Sequence, residues 1–228
     1  MDLAAVRVAP VPLLACGAVA AARNVLTLVE DAEVLSAAGR PARAYSLAVL
    51  AVEELGKAGS LSVLAAMPEN VRAQAPIGRL LEWHQMKLLK GTLLTEVQVG
   101  PAGVCARLAA GPFADLEEMV EDAEASARDE DRVRLRGLYV DVDHSGRVQQ
   151  PSEVTAPEVL EQLARARRAA SVASEMLDPG ALERIANPDP CTVEFSRAMI
   201  NAFRAIGKNR SPEAAADVVL SAASELRG

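Results

Sequence analysis

The sequence predicts an all-α protein: one helical-bundle domain spanning residues 1–228, built from about six to seven helices, with a short β-hairpin inserted near 136–150. Three observations predict this. Half of the residues are hydrophobic but only 3% are aromatic, so Ala, Leu and Val must fill the core. That mix suits closely packed helices better than sheets, which favour β-branched and aromatic side chains. The stretch from Ala44 to Met67 is small or apolar on every side of a helical wheel, the mark of a buried helix. Only the segment around 136–150 alternates in the manner of strands.

The buried helix carries three charges, Glu53, Glu54 and Lys57, together at its middle. With Lys57 at zero on the wheel, Glu53 lies about 40° to one side and Glu54 about 60° to the other. On a surface such i,i+3 and i,i+4 pairs contribute only about 0.2–0.5 kcal/mol each. Inside a bundle they need partners or a water-filled cleft, because an unpaired buried charge costs several kcal/mol. Two readings follow: a local salt bridge where the helix reaches the surface, or a polar pocket built around a central helix.

The other elements follow in order. A first helix is expected from Pro12 to Ser36, with Asn24 and Asp31 sharing one face, either solvated or reaching the central charges. Gly39-Arg-Pro41 turns the chain and Pro68 ends the second helix. A third starts near Ile77, where Ile77, Leu80, Leu81, His84 and Leu88 follow the spacing of one buried stripe. His84 is therefore expected to point inward, with Lys87 about 60° away on the same side. An inward Lys requires an acidic partner, and Glu53 or Glu54 on the neighbouring helix can supply it. Phe113 to Arg132 reads as an acidic helix with a solvated face.

Arg136 to Asp143 and Arg147 to Pro151 then form the hairpin around His144-Ser-Gly146. Asp141, Asp143 and His144 suggest a metal only weakly; a solvated turn is the simpler reading. Thr155-Ala-Pro-Glu158 is a capping box opening a helix to Leu177, whose Arg165-Ala-Arg-Arg168 patch reads as solvated. Two further helices are expected, from Thr192 to Ile206 and from Ser211 to Leu226.

Composition excludes several functions. A net charge of −7 leaves no general electrostatic footprint for nucleic acid, so RNA would have to meet a local basic cleft. Three scattered cysteines form no disulfide framework and no zinc ribbon, and they fit a reducing cytosol. Asp2, Pro10 and Pro12 argue against a secretory signal, and no apolar run of about 20 residues without a charge suggests a membrane span. A ferritin-like metal site would use Glu-x-x-His, and neither His84 nor His144 has Glu three residues before it.

Asn24 through Asp31, then the string Arg43-Ala-Tyr-Ser-Leu-Ala-Val-Leu-Ala-Val-Glu53-Glu54-Leu-Gly-Lys57-Ala, then His84-x-x-Lys87 and Gly137-Leu-Tyr139-Val-Asp141, resemble the AbiV-type abortive infection proteins of the HEPN superfamily. The resemblance covers patches from about Asn24 to Asp141. It implies a HEPN-like helical fold and a cytoplasmic, homodimeric anti-phage protein that blocks gene expression on infection. It also implies a possible RNA substrate and a phage-encoded activator, with no metal or other cofactor required. Many HEPN nucleases carry Arg-x(4–6)-His, in which His moves protons at the ribose 2′-hydroxyl and the leaving oxygen while Arg steadies the phosphate. Arg79 and His84 have that spacing, although on one regular helix they would stand about 140° apart.

Carried over residue by residue, the candidate catalytic set is His84, Lys87 and Glu54. Arg79, Glu53, Lys57, Tyr139 and Asp141 bind or support. The resulting expectation is a metal-independent ribonuclease. The competing expectation is a non-catalytic protein whose polar cluster fixes the fold while another surface binds a phage or host protein.

Overall fold

Helix α1 (Leu3–Val8) leads through Pro10 into α2 (Val11–Ala37), and Pro12 sits in the first turn of α2, where a missing N–H costs nothing. The computed structural model describes residues 3–73, 75, 77–81, 84–97, 116–142, 146–205, 217 and 221. At the end of α2, Gly39 takes φ +68°. The N–H of Arg40 donates to Leu35 and that of Gly39 to Ser36, at 2.9 and 3.1 Å. This left-handed glycine cap closes two otherwise open carbonyls and folds the chain back into α3 (Pro41–Ala65).

Helix α3 is the buried axis. Its inward residues include Ala44, Val49, Val52, Leu55, Ala58, Leu61 and Leu64, and they leave few solvent-facing positions. It packs against α2, α6 (His84–Val97), α7 (Leu116–Leu138) and α8 (Ala156–Glu175). The α2 face turned to it is mostly Ala: Ala15, Ala18, Ala22 and Ala32 with Val25 and Val29. By length and composition α2 could also cross a membrane. Asn24 and Asp31 are exposed on its outer face, so of the two readings open for them the solvated one holds.

Two glycines bring α3 and α6 into backbone contact. A Cβ on Gly56 would lie 1.9 Å from the carbonyl oxygen of Lys87, and one on Gly91 would lie 2.0 Å from that of Val52. Gly137 does the same for α7, where a Cβ would meet Ser46 Oγ at 2.6 Å and the Ala42 oxygen at 2.8 Å.

The third helix of the sequence reading is described as α5 (Ile77–Leu81) and α6, on either side of residues 82 and 83, which lie outside the described residues. Before it, α4 (Glu69–Arg72) carries a buried arginine that the sequence did not flag. Arg72 donates to the backbone oxygens of Arg7 and Ala9 at 3.2 and 2.7 Å, and to those of Leu64 and Met67 at 3.4 Å each. One guanidinium thus satisfies carbonyls at the C-terminal ends of both α1 and α3, which a helix otherwise leaves open.

The hairpin is much shorter than expected. Helix α7 continues to Leu138, through Arg136 and Gly137, because Gly137 packs directly on α3 and keeps the chain helical there. Among the described residues, Asp141 pairs with Gln149 and Val142 with Val148, antiparallel; residues 143–145, including Asp143 and His144, lie outside them. A 3₁₀ turn, Pro151–Glu153, follows.

The capping box on α8 forms as the sequence predicts. The Glu158 carboxylate accepts from the Thr155 N–H at 2.6 Å, and the Glu158 N–H donates to Thr155 Oγ1 at 3.5 Å. Thr155→Ala is expected to cost about 1 kcal/mol, read as a lower urea midpoint with an unchanged m-value. Helices α9 (Ala181–Ala186) and α10 (Pro190–Ala205) complete the described bundle. At the start of α10, the hydroxyl and N–H of Thr192 donate to Asp189 and hold its carboxyl below the usual carboxylate range. Cys105 and the expected last helix at 211–226 fall almost wholly outside the described residues.

Candidate functional site

Glu53 is the one charge of α3 that turns fully into the bundle, its side chain 3% exposed. Oε2 receives two groups from α6, His84 Nδ1 at 2.8 Å and Lys87 Nζ at 3.2 Å. Oε1 faces Arg134 Nε of α7 at 3.5 Å, an ion-pair distance without hydrogen-bond alignment. Three helices thus meet on one carboxylate. The spacing of α6 explains its share: His84 and Lys87 are one turn apart, so both reach the same oxygen.

His84 differs from the expectation that it points inward among the leucines. Ile77, Leu81 and Leu88 are buried, yet the His84 side chain is 51% exposed. It presents one ring edge to Glu53 and much of the rest to solvent. A carboxylate only accepts hydrogen bonds, so Nδ1 donates to Oε2 in this contact and Nε2 takes no part in it. That is the geometry of an imidazole oriented by a carboxylate.

Glu54, expected to do the orienting, does something else. It pairs with Lys57 at 3.2 Å on a partly exposed side of α3, so the orienting role falls to Glu53. The wheel placed the two glutamates on opposite sides of Lys57, and the structure shows which side faces α6. Lys57 joins Glu54 in this local pair. Arg79 belongs to α5, and Asp141 to the first strand; their side chains lie outside the description. Tyr139 is 61% exposed just beyond α7, and no contact with the Glu53 cluster is seen among the described residues.

Arg134 was missed in the sequence, and Lys90 stands out there only as one of three lysines on α3 and α6. Arg134 lay beyond the expected end of the acidic helix, yet it falls on the inner stripe Val120, Ala123, Ala127, Glu130, Arg134, Gly137, all buried. Lys90, one turn beyond Lys87, donates to Ser60 Oγ at 2.6 Å. Burial, and then the nearby charge of Lys87, lower its amine to about 7.

Glu130 anchors a second buried group and, with Arg165, departs from the solvated reading of that helix and patch, which holds for Glu121, Asp122, Asp129 and Arg167. It pairs with Arg165 of α8 and accepts from Gln162 at 3.3 Å. Among the described residues no group of three or more His, Cys, Asp or Glu side chains is placed to hold a metal ion.

No match to the chain was found among the curated proteins or the solved structures. A protein-family model does match: the HEPN model described as AbiV aligns with residues 13–171. The matched span runs from the first turn of α2 into α8 and contains Glu53, His84, Lys87 and Arg134. The chain therefore belongs to the AbiV family of HEPN proteins.

Proposed function

We propose that this protein acts in abortive infection against phage as a metal-independent endoribonuclease. Family membership supports the defence role. The observation that carries the chemistry is His84, half-exposed, with Nδ1 on the buried carboxylate of Glu53. In this reading Nε2 of His84 takes the proton of a ribose 2′-hydroxyl. The oxygen then attacks the adjacent phosphorus, the bond from phosphorus to the 5′-oxygen breaks, and protonated His84 returns its proton to that departing oxygen as a 2′,3′-cyclic phosphate forms. Lys87 supplies positive charge near the phosphate; Arg79 and Tyr139 are further candidates to hold the RNA. The active form is a cytoplasmic homodimer, triggered by a phage-encoded activator.

The test compares RNA integrity in cells expressing wild-type protein or His84→Ala, with and without phage. RNA loss that falls at least 100-fold in the variant, and that persists in chelator when purified protein is used, is the expected result. One observation favours the competing reading: Lys87 and Arg134 are already engaged by Glu53, as in a cluster that only fixes the fold. Intact RNA with phage yield still reduced in both proteins would overturn the nuclease reading in favour of partner binding.

A further inference from the structure

Arg134 reaches Glu53 from a position fixed by backbone as well as side-chain contacts. Its carbonyl oxygen accepts from Ser46 Oγ of α3 at 3.2 Å, and Ser46 also donates to the Ala42 oxygen at 3.1 Å. One turn on, Gly137 lies so close to Ala42 and Ser46 that no side chain fits. Helix α7 is therefore locked in register on α3, and the Arg134 side chain is 10% exposed, with Nε beside Oε1. Lys87 and His84 occupy Oε2 from the other side. Among the described residues, the charged groups that meet on Glu53 beside the imidazole are Lys87 of α6 and Arg134 of α7, with Lys90 one turn beyond Lys87 and the Glu54–Lys57 pair on the partly exposed side of α3.

We infer that Arg134 is a positioning residue of this site. It holds the Oε1 edge of Glu53 so that Oε2 faces His84, and its charge opposes a second positive charge on the ring. With Arg134 removed, protonated His84 takes over part of the neutralisation of Glu53, and the ring holds its proton to higher pH. This role rests on the reading of His84 as the base, but it can be measured without RNA.

The experiment follows the imidazole NMR signals of the isotope-labelled full chain across pH. The protein has two histidines, and His144→Gln assigns the His84 signals. In Arg134→Met the protonation curve of His84 is expected to move to higher pH than in wild type, by about half a unit or more. Arg134→Lys, which keeps the charge, is expected to return it toward wild type. Superimposed curves for wild type and a folded Arg134→Met would overturn the inference.

If Arg134→Met does not fold, Glu53→Gln is compared with Glu53→Gln/Arg134→Met, a pair without a stranded buried carboxylate. The same upward displacement is expected in the double variant, and coincident curves would again overturn it. A displaced curve in a protein that cleaves no RNA leaves the inference standing and defeats the nuclease reading. His84-dependent cleavage with an undisplaced curve does the reverse.

Discussion

Gly91→Ala is expected to destabilise the protein by about 3 kcal/mol or more, with Gly56→Ala close behind. The added methyl at position 91 would lie 2.0 Å from the Val52 oxygen and 2.9 Å from its carbonyl carbon. These are backbone atoms of a buried helix and cannot rotate away, so α3 and α6 must move apart. At Gly56 the obstacle is the Lys87 carbonyl at 1.9 Å. In both cases the helices that separate are those carrying Glu53 on one side and His84 and Lys87 on the other. The contacts at 2.8 and 3.2 Å should be lost together with stability.

Gly17→Ala is the matched control. Its new methyl would meet only the end of the Leu61 side chain at 3.4 Å, and alanine is the better helix former by about 1 kcal/mol. Urea unfolding of the three variants checks this. Equal, small effects at all three positions would show that the two helices are not held in backbone contact.

Lys90→Met carries the second large effect, and its sign depends on pH. The Lys90 amine falls from an ordinary 10.5 to about 7 in the folded protein because it is buried. Between those values the unfolded chain holds a proton that the native state has released. Stability therefore rises with pH across this window, by up to about 1.4 kcal/mol per pH unit. Below pH 7 the native state must carry a buried charge and bears the full penalty.

Methionine fills a similar volume without that charge, and Ser60 keeps its bond to the Gly56 oxygen at 2.8 Å. After loss of the Lys90 bond, worth about 1 kcal/mol, Lys90→Met is expected to gain about 3 kcal/mol near pH 6. The gain should fade as pH approaches 10. Urea unfolding of both proteins at pH 6, 8 and 10 reads the difference. A gap that stays constant with pH would mean that the amine does not titrate in this window.

Much of the architecture is legible in residue order. Helix α3 is apolar nearly all round and is buried on all but one stripe, Leu47, Leu50, Glu54 and Lys57, and Thr155 and Glu158 announce their helix start unaided. Gly39-Arg-Pro41 marks the first turn. The hairpin was overcalled because Leu138, Tyr139 and Val140 alternate without regard to Gly137, whose packing on α3 extends the helix.

The site was half visible. The sequence brought Glu53, Lys87 and His84 together, but a helical wheel cannot say which of two adjacent glutamates faces a neighbour not yet placed. Arg134 and Glu130 stayed hidden because they are charges on an inner stripe, within a segment whose overall acidity reads as solvated. Hydrophobic periodicity cannot register a charge that is buried by pairing. Arg72 gave no signal at all, because its partners are carbonyls contributed by two distant helix ends.

The alanine face between α2 and α3 has a thermodynamic consequence of its own. An alanine side chain has no rotamers to lose on burial, whereas a leucine loses about 0.5–1 kcal/mol of conformational freedom. The interface through Ala15, Ala18, Ala22, Ala44, Ala48 and Ala51 therefore orders at little entropic cost. Each contact there buries little area, and the attraction comes from many methyls at close range rather than a few large anchors. The first two long helices, joined by a three-residue turn, can close on one another like two smooth rods, before the larger side chains of α6 and α7 must find their places.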